Sequence, residues 1–440
     1  MLDTGSSGFM MVSAMLVLLM TPGLAFFYGG LSRRKNVINT MFMSLAAIGI
    51  VGVVWVICGW SFAYGGDGSI PFFGGFDQLG CVTAVQDMLA EANGTATAFT
   101  ALTGEVAVDA TASAASYPAI INIVFQMAFA MITTAIITGA VAGRMKVGAV
   151  MTFCAIWVVL IYAPLAHMVW GGDGSFIGDM IGALDFAGGD VVHISSGLTG
   201  LVLCILLGKR RGFGMLSYRP HNVPFVFLGA TLLWFGWFGF NAGSAFADNG
   251  TAGLALLNTV AASAAASLSW AGFERIRTGK CTLTGGATGL VAGLVVITPA
   301  AGFVEPLAAV FMGLVVSPIC YLAISRMKAK LGYDDALDAF GCHTVGGIVG
   351  GVLTGIFCVP ELSWTENGGL LYTGDPSLLF AQVLGILVTV AFVAIGSLVI
   401  ALVVKALFGG SLRVSEHDEG LGMDVIQHGE SAYPAFVGLD

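Results

Sequence analysis

Apolar residues run in long blocks separated by short polar connections. A helix of about 20 apolar residues crosses a hydrocarbon core of ~30 Å. Eleven blocks reach that length: 8–30, 37–64, 117–142, 147–168, 186–208, 222–242, 252–274, 283–300, 303–325, 336–358 and 377–408. They predict an all-α polytopic membrane protein. Pro299, Gly302 and Pro306 crowd the junction of the eighth and ninth blocks, where a break in the helices is expected.

Composition agrees with lipid as the main solvent. Hydrophobic residues make up 57% of the 440-residue chain and charged residues 10%, against about 25% charged in soluble domains. So few charges do not coat a water-facing surface of this size. The 63 glycines suit helices that approach closely, since small residues drive packing where lipid removes the hydrophobic drive. The eight cysteines are scattered, none in CxxC spacing, and most lie inside apolar blocks. They read as buried small hydrophobes. Met1–Gly8 carries no basic run, so a cleavable signal peptide is not expected.

The cationic residues set a direction. All 17 Lys and Arg fall in alternate connections or at the same helix ends: 33–35, 144–146, 209–219, 275–280, 326–330 and 405–413. The other connections hold none. By the positive-inside rule the N-terminus lies outside and the C-terminus in the cytoplasm of a multi-pass protein of the cytoplasmic membrane. The formal charge of −9 therefore reflects where the two signs sit, and implies no nucleic-acid partner. Two segments stand apart from the membrane domain 1–408. The outer stretch 65–116 is rich in Ala, Thr, Gly and Asp and reads as a surface insertion or lid; it contains the sequon Asn93-Gly94-Thr95. Residues 409–440 form a polar tail. GGDGS occurs at 65–69 and 171–175, as turn chemistry.

An internal repeat supplies the candidate chemistry. Asp185 lies eight residues before His193, and Asp335 eight before His343. Gly197-Leu198-x-Gly200 follows the first histidine and Gly347-Ile348-x-Gly350 the second, at a constant offset of 150. Blocks five and ten run in opposite directions, so the repeat is inverted: five helices (1–5), five more (6–10) and a closing eleventh. Inverted repeats in transporters meet near the midplane. Eight helical residues rise ~12 Å, which brings both imidazoles to similar depth. Ionisable residues inside a membrane are functional candidates. The alternatives are two polar residues that only bind helices together, and a bis-histidine haem site, which predicts a Soret band. Asp185 reads as a helix cap whose charge also faces the outer side; Asp335 reads as structural.

Longer motifs on these blocks resemble the ammonium transporter (Amt/MEP/Rh) family, nearer its Amt branch. They are Pro22-Gly23-Leu24-Ala25-Phe26-Phe27-Tyr28-Gly29-Gly30 with Lys35-Asn36-Val37, Ala166-His167-Met168-Val169-Trp170-Gly171-Gly172, Asp185-Phe186-Ala187-Gly188-Gly189 leading to His193, Gly236-Trp237-Phe238-Gly239-Phe240-Asn241-Ala242-Gly243-Ser244, and Asp335-x-x-Asp338-x-Phe340-Gly341-x-His343. Phe129 enters through the shorter run Phe125-Gln126-x-Ala128-Phe129. The resemblance implies an outer ammonium-recruitment site at Trp170, Ser244 and Phe129 with Asp185, a gate of Phe129 and Phe240, and a pore lined by His193 and His343. It also implies a homotrimer. Gly422-Met423-Asp424-Val425-x-x-His428-Gly429-Glu430-x-Ala432-Tyr433 is similar to the family's cytoplasmic tail, which implies a PII-type signalling protein as a regulatory partner. Trp170 together with Ser244 sets the chain apart from the Rh branch. The long stretch 65–116 departs from the compact family pattern.

The residue types suit ammonium. An indole face attracts a cation and a hydroxyl accepts an N–H bond. A phenylalanine-lined passage offers nothing to replace hydration, so a neutral molecule crosses more cheaply than an ion. The reading is therefore ammonium uptake by recruitment, deprotonation and passage of ammonia, with an ammonium sensor of the same fold as the alternative. No nucleophile triad, metal-ligand cluster or phosphate loop suggests an enzyme, and no cofactor or metal is expected.

Overall fold

A computed structural model describes residues 3–86, 117–215, 218–365 and 367–433. Most of the stretch 65–116, with its sequon, and the last residues of the tail lie outside the described residues. Eleven helices are long and apolar enough to cross a membrane. They are α1 (Thr4–Leu31), α2 (Val37–Tyr64), α3 (Ala119–Val141), α4 (Val147–Trp170), α5 (Gly189–Leu207), α6 (Val223–Gly243), α7 (Gly250–Thr278), α8 (Leu283–Ala300), α9 (Pro306–Leu331), α10 (Phe340–Phe357) and α11 (Ser377–Leu407). The predicted blocks coincide with them to within a few residues, and the expected break between α8 and α9 falls at 301–305.

Helix starts follow the capping residues in the sequence. The Asp3 carboxylate accepts from the N–H groups of Gly5 and Ser6, Asn222 from Phe225, Asn249 from Ala252 and Thr282 from Gly285. π-Helical turns interrupt α2 at Trp55–Gly59, α4 at Val158–Tyr162 and α9 at Ala323–Met327. Two more open α5 (Gly189–Ile194) and α10 (Phe340–Thr344), and each holds one of the two histidines. Such turns free backbone groups and re-aim side chains, and they concentrate at functional sites.

Glycine sets the close packing of α1 on α6. A Cβ on Gly236 would lie 2.6 Å from the Leu16 carbonyl oxygen, one on Gly239 2.7 Å from that of Ser13, and one on Gly229 2.6 Å from that of Gly23. These backbones touch directly, the arrangement that replaces hydrophobic drive in lipid. The same device joins the two halves at their centre. Gly197 packs on Thr344, and Gly347 packs on Ile194. Residues 194 and 344 each follow a histidine, so the inverted repeat appears as a reciprocal contact.

The faces of the bundle differ in chemistry. On the basic face, fully buried Arg144 gives an Nη2–H bond to the Asp334 carbonyl (2.5 Å) and an Nε–H bond to that of Gly208 (3.1 Å). Arg210 holds the Asp334 carboxylate at 2.6 Å. Three connections, α3–α4, α5–α6 and α9–α10, meet in this cluster. Burial pushes the Asp334 carboxyl up, but the Arg210 hydrogen bonds and charge outweigh it and hold the group below the ordinary range.

The tail lies against this face. Its chain pairs with α4's entrance through Lys146 N–H to Leu412 O (2.9 Å) and Val414 N–H to Arg144 O (3.0 Å). The short helix α12 (Glu416–Leu421) places Glu419 against Arg413 (2.5 Å) and the Arg211 N–H (2.7 Å). The Asp424 carboxylate then accepts from the Asn39 N–H in α2's first turn, and the Gln427 amide oxygen from the Val147 N–H that starts α4.

Candidate functional site

The predicted site residues form a column through the middle of the bundle. Trp170 ends α4 and is half-buried; its indole N–H donates to the Asp185 carbonyl (2.8 Å). Its ring meets Phe129 of α3 edge-on, with centroids 6.2 Å apart. Phe129 and Phe240 stack at 4.0 Å and 10°. Rings this close leave no passage between them. Beneath them His193 lies 6.1 Å from Phe240 and 5.4 Å from Trp237, both near-parallel. His193 then faces His343, Nδ1 to Nδ1, at 3.3 Å. The depth argument from the two aspartates thus places the imidazoles in contact.

That contact constrains the protons. Two facing Nδ1 atoms form a hydrogen bond only when one bears the proton and the other does not. The Nε2 atoms then present one acceptor and one donor. His193 Nε2 is buried without a protein partner among the described residues. Both rings line a narrow space walled by Leu24, Ile136, Val192 and Trp237, which holds about one water-sized molecule. On its other side His343 opens into a vestibule of about 210 Å³ on the basic face, lined also by Tyr28, Thr284, Thr288, Asp338 and Cys342. His343 is common to both spaces, so the column leads from Trp170 to the basic face.

Ser244 follows α6 and is buried; its hydroxyl donates to the Phe240 carbonyl (2.9 Å). Its lone pairs remain available to a donor. Asp185 is 3% exposed, and its carboxylate accepts from the N–H groups of Gly188, Gly189, Asp190 and Val191 at 2.6–3.3 Å. Burial pushes this carboxyl up while those four bonds oppose it. The group caps α5, holds the His193 turn in shape, and positions Trp170 through its own carbonyl. Phe129, reached through the shortest motif, stands in the centre of the column.

Sequence reasoning missed several contributors. Trp237 backs His193 and is fixed by its indole N–H to Thr298 (3.0 Å). Asp338 adopts a left-handed backbone, φ 62°, and binds Lys328 at 2.6 Å beside the vestibule. Trp237 was visible only as part of a motif, and its partner lies 61 residues away.

The chain is similar to known proteins over nearly its whole length. Residues 8–433 match the Ammonium Transporter Family. Proteins named ammonium transporter from Aquifex aeolicus and Bacillus subtilis are each 45% identical; the match covers 98% of this chain and 94% and 99% of theirs. The crystal structure of Saccharomyces cerevisiae Mep2 superposes with a TM-score of 0.84 at 32% identity, over 99% of this chain and 93% of that one. A solved structure titled Sensor Amt Protein gives 0.82 at 27%, over 96% and 98%. The curated relatives are transporters, not enzymes. On fold, column and similarity together, this chain belongs to the ammonium transporter family.

Proposed function

We propose that the chain takes ammonium up across the cytoplasmic membrane by recruiting the cation at Trp170, Ser244 and Phe129, deprotonating it, and passing ammonia along His193 and His343. The observation that carries this reading is the unbroken column of Trp170, the Phe129–Phe240 stack and the two imidazoles, ending in the basic-face vestibule. The basic connections mark the cytoplasmic side, which puts Trp170 outside.

The energetics favour a neutral passenger. An unpaired ion in an apolar channel costs tens of kcal/mol in the Born limit. Losing a proton at pH 7 costs an amine whose pKa lies ~2–3 units higher only about 3–4 kcal/mol. Ammonia beyond the phenylalanines meets one imidazole acceptor and one donor, which hydrogen-bond it as it moves. Potassium has no proton to shed and is rejected. Asp185 contributes mainly by shaping the His193 turn, its charge being matched by the helix N-terminus.

In this reading three copies assemble as a homotrimer with one pore each. The docked tail is the regulatory element that a PII-type signalling protein engages. An ammonium sensor of the same fold is the second reading; the similarity to a protein titled a sensor favours weighing it.

Currents across a solid-supported membrane test the proposal. A saturable ammonium current with no potassium current is expected. His193→Ala is expected to change ammonium rate or ammonium-over-potassium selectivity; unchanged values would remove the twin-histidine role. No current, but a rapid pH change in stopped flow on the same vesicles, would mean neutral conduction. Neither signal from folded protein would favour the sensor.

A further inference from the structure

Two hollows meet on the outward surface of α2. The first lies between α1 and α2 and has a volume of about 410 Å³; its walls include Phe26 of α1 and Ile38, Met41 and Ile48 of α2, together with Thr21 and Ser44. The second, of about 420 Å³, lies between α2 and α4 and is walled by Gly49, Ile50 and Val53 of α2 and Met151 of α4. Phe42 and Leu45 belong to both and stand as a ridge between them. Leu45, Gly49 and Val53 are exposed along one stripe of α2. A Cβ on Gly49 would meet nothing within 4 Å, so this glycine leaves a notch between two larger side chains. α2 runs from Val37 to Tyr64, which puts its midpoint at 50–51. The first hollow, 38–48, lies wholly on the basic side of that midpoint, and the second, 42–54, mostly so. Ten residues of helix span ~15 Å, about half of a ~30 Å hydrocarbon core. Each hollow therefore has the depth of one lipid leaflet.

The connections at the basic end of these hollows carry cations. Arg34, before α2, gives an Nη2–H bond to the Tyr433 carbonyl (3.4 Å). Lys35 donates to the Gly420 carbonyl, and Lys146, at the start of α4, to that of Ser411 (2.9 Å). Among the described residues none of the three is paired with a carboxylate. Cations with only carbonyl oxygens as partners, set at the membrane border, attract an anionic headgroup. Shape and charge thus agree: two apolar hollows of near-equal size share one ridge, and a positive rim closes the same end of both.

We propose that the hollows hold one anionic two-chain phospholipid of the basic-face leaflet, which straddles α2 with a chain in each and turns its headgroup toward Arg34, Lys35 and Lys146. The site reaches the tail. The Phe42 ring lies 4.7 Å from that of His428, and the Asn39 side-chain nitrogen lies 3.1 Å from His428 Nε2. A chain packed on Phe42 therefore backs the residue on which the tail's Asp424–His428 turn rests, and the bound lipid holds that turn on α2. The site is independent of what crosses the column.

Native mass spectrometry of the detergent-purified protein, titrated with dioleoylphosphatidylglycerol and with dioleoylphosphatidylcholine, tests the site. The anionic lipid should bind more tightly; equal binding of the two overturns the charged rim. Gly49→Phe fills the second hollow and should weaken the anionic lipid about tenfold. Leu402→Phe, at an exposed residue of α11, should leave its affinity unchanged. Equal affinity in the wild type and both variants overturns the site. So does a Gly49→Phe protein that separates from other copies of the chain without weakening the lipid, since the hollows would then seat a neighbouring subunit. If Gly49→Phe does not fold, wild-type protein reacted with a phosphatidylglycerol bearing a photoreactive acyl chain decides. Adducts within residues 42–54 and at Met151 are expected, and adducts spread over the helices without preference overturn the site. Hydrogen exchange of residues 424–428 should slow about tenfold when the anionic lipid is added; an unchanged rate overturns the link to the tail.

Discussion

Asp185 and Asp335 stand at equivalent places in the two halves, yet their carboxylates are bonded differently. Asp185 accepts four backbone N–H groups. Asp335 accepts one from Phe340 through Oδ2 (2.8 Å), and its Oδ1 is buried without a partner among the described residues. Burial pushes the Asp335 carboxyl up to about 6, with Lys328 pulling the other way. The sign follows from linkage. As pH rises from about 4 to about 6 the unfolded chain loses this proton first, so stability falls across that window and levels above it. A shift of that size is worth at most about 3 kcal/mol and, with relaxation, of the order of 1–3 kcal/mol. Asp335→Asn keeps an oxygen for the Phe340 N–H and removes the charge. It is expected to raise the thermal midpoint at pH 8 and to leave it nearly unchanged at pH 4. An equal effect at both values would mean that the charge is not what burial penalises. Removal of the Asp185 carboxylate should be damaging instead, because four donors at the start of α5 would lose their acceptor.

Helix number and length were legible in the chain because lipid imposes a simple demand, about 20 apolar residues per crossing. The constant offset of 150 located both histidines and their glycines, since symmetry forces equivalent residues to meet. What could not be read were pairings between distant elements with no periodic signature. Trp237 with Thr298, Arg144 with Asp334, and His167 with two carbonyls each depend on how separate helices end up side by side. The π-helical turns that carry the histidines were also hidden, as composition does not distinguish them from α-helix. Glycine shows the same limit, since abundance gave the principle but not the positions. On α6, a Cβ at Gly229 would collide with the backbone of α1, whereas Gly253 on α7 has open space around it. Gly229→Ala is expected to cost about 1–3 kcal/mol by overpacking or by parting α1 from α6. Gly253→Ala should be neutral or gain up to roughly 1 kcal/mol in helix propensity. Thermal unfolding in the same detergent compares the two; a similar midpoint for both would mean that α1 and α6 yield easily.

At the scale of the whole molecule, the tail fastens several connections of the basic face to one another. It borders the α3–α4 connection through Met145 and Arg413, the α5–α6 connection through Arg211 and Glu419, and the start of α2 through Asp424. Tyr433 continues the contact, its hydroxyl lying 3.2 Å from His221 Nε2 and its ring under Arg34. A segment that caps α2 and α4 while bonding to the α5–α6 connection holds the ends of several pore-forming helices in one arrangement. Any partner that moves it would act on those ends together, which is the physical content of a regulatory role. The Asp424 cap is the point to test, because it is buried and specific. Asp424→Ala removes the acceptor for the Asn39 N–H, worth about 0.5–2 kcal/mol for a helix cap. Hydrogen exchange across residues 411–433 and 37–40 should then accelerate about tenfold, whereas Val425→Ala, at a residue 59% exposed, should leave it unchanged. If the tail loosens and ammonium current changes with it, docking and conduction are coupled through α2. If the tail loosens and the current holds, the tail is a fastening whose release does not reach the column.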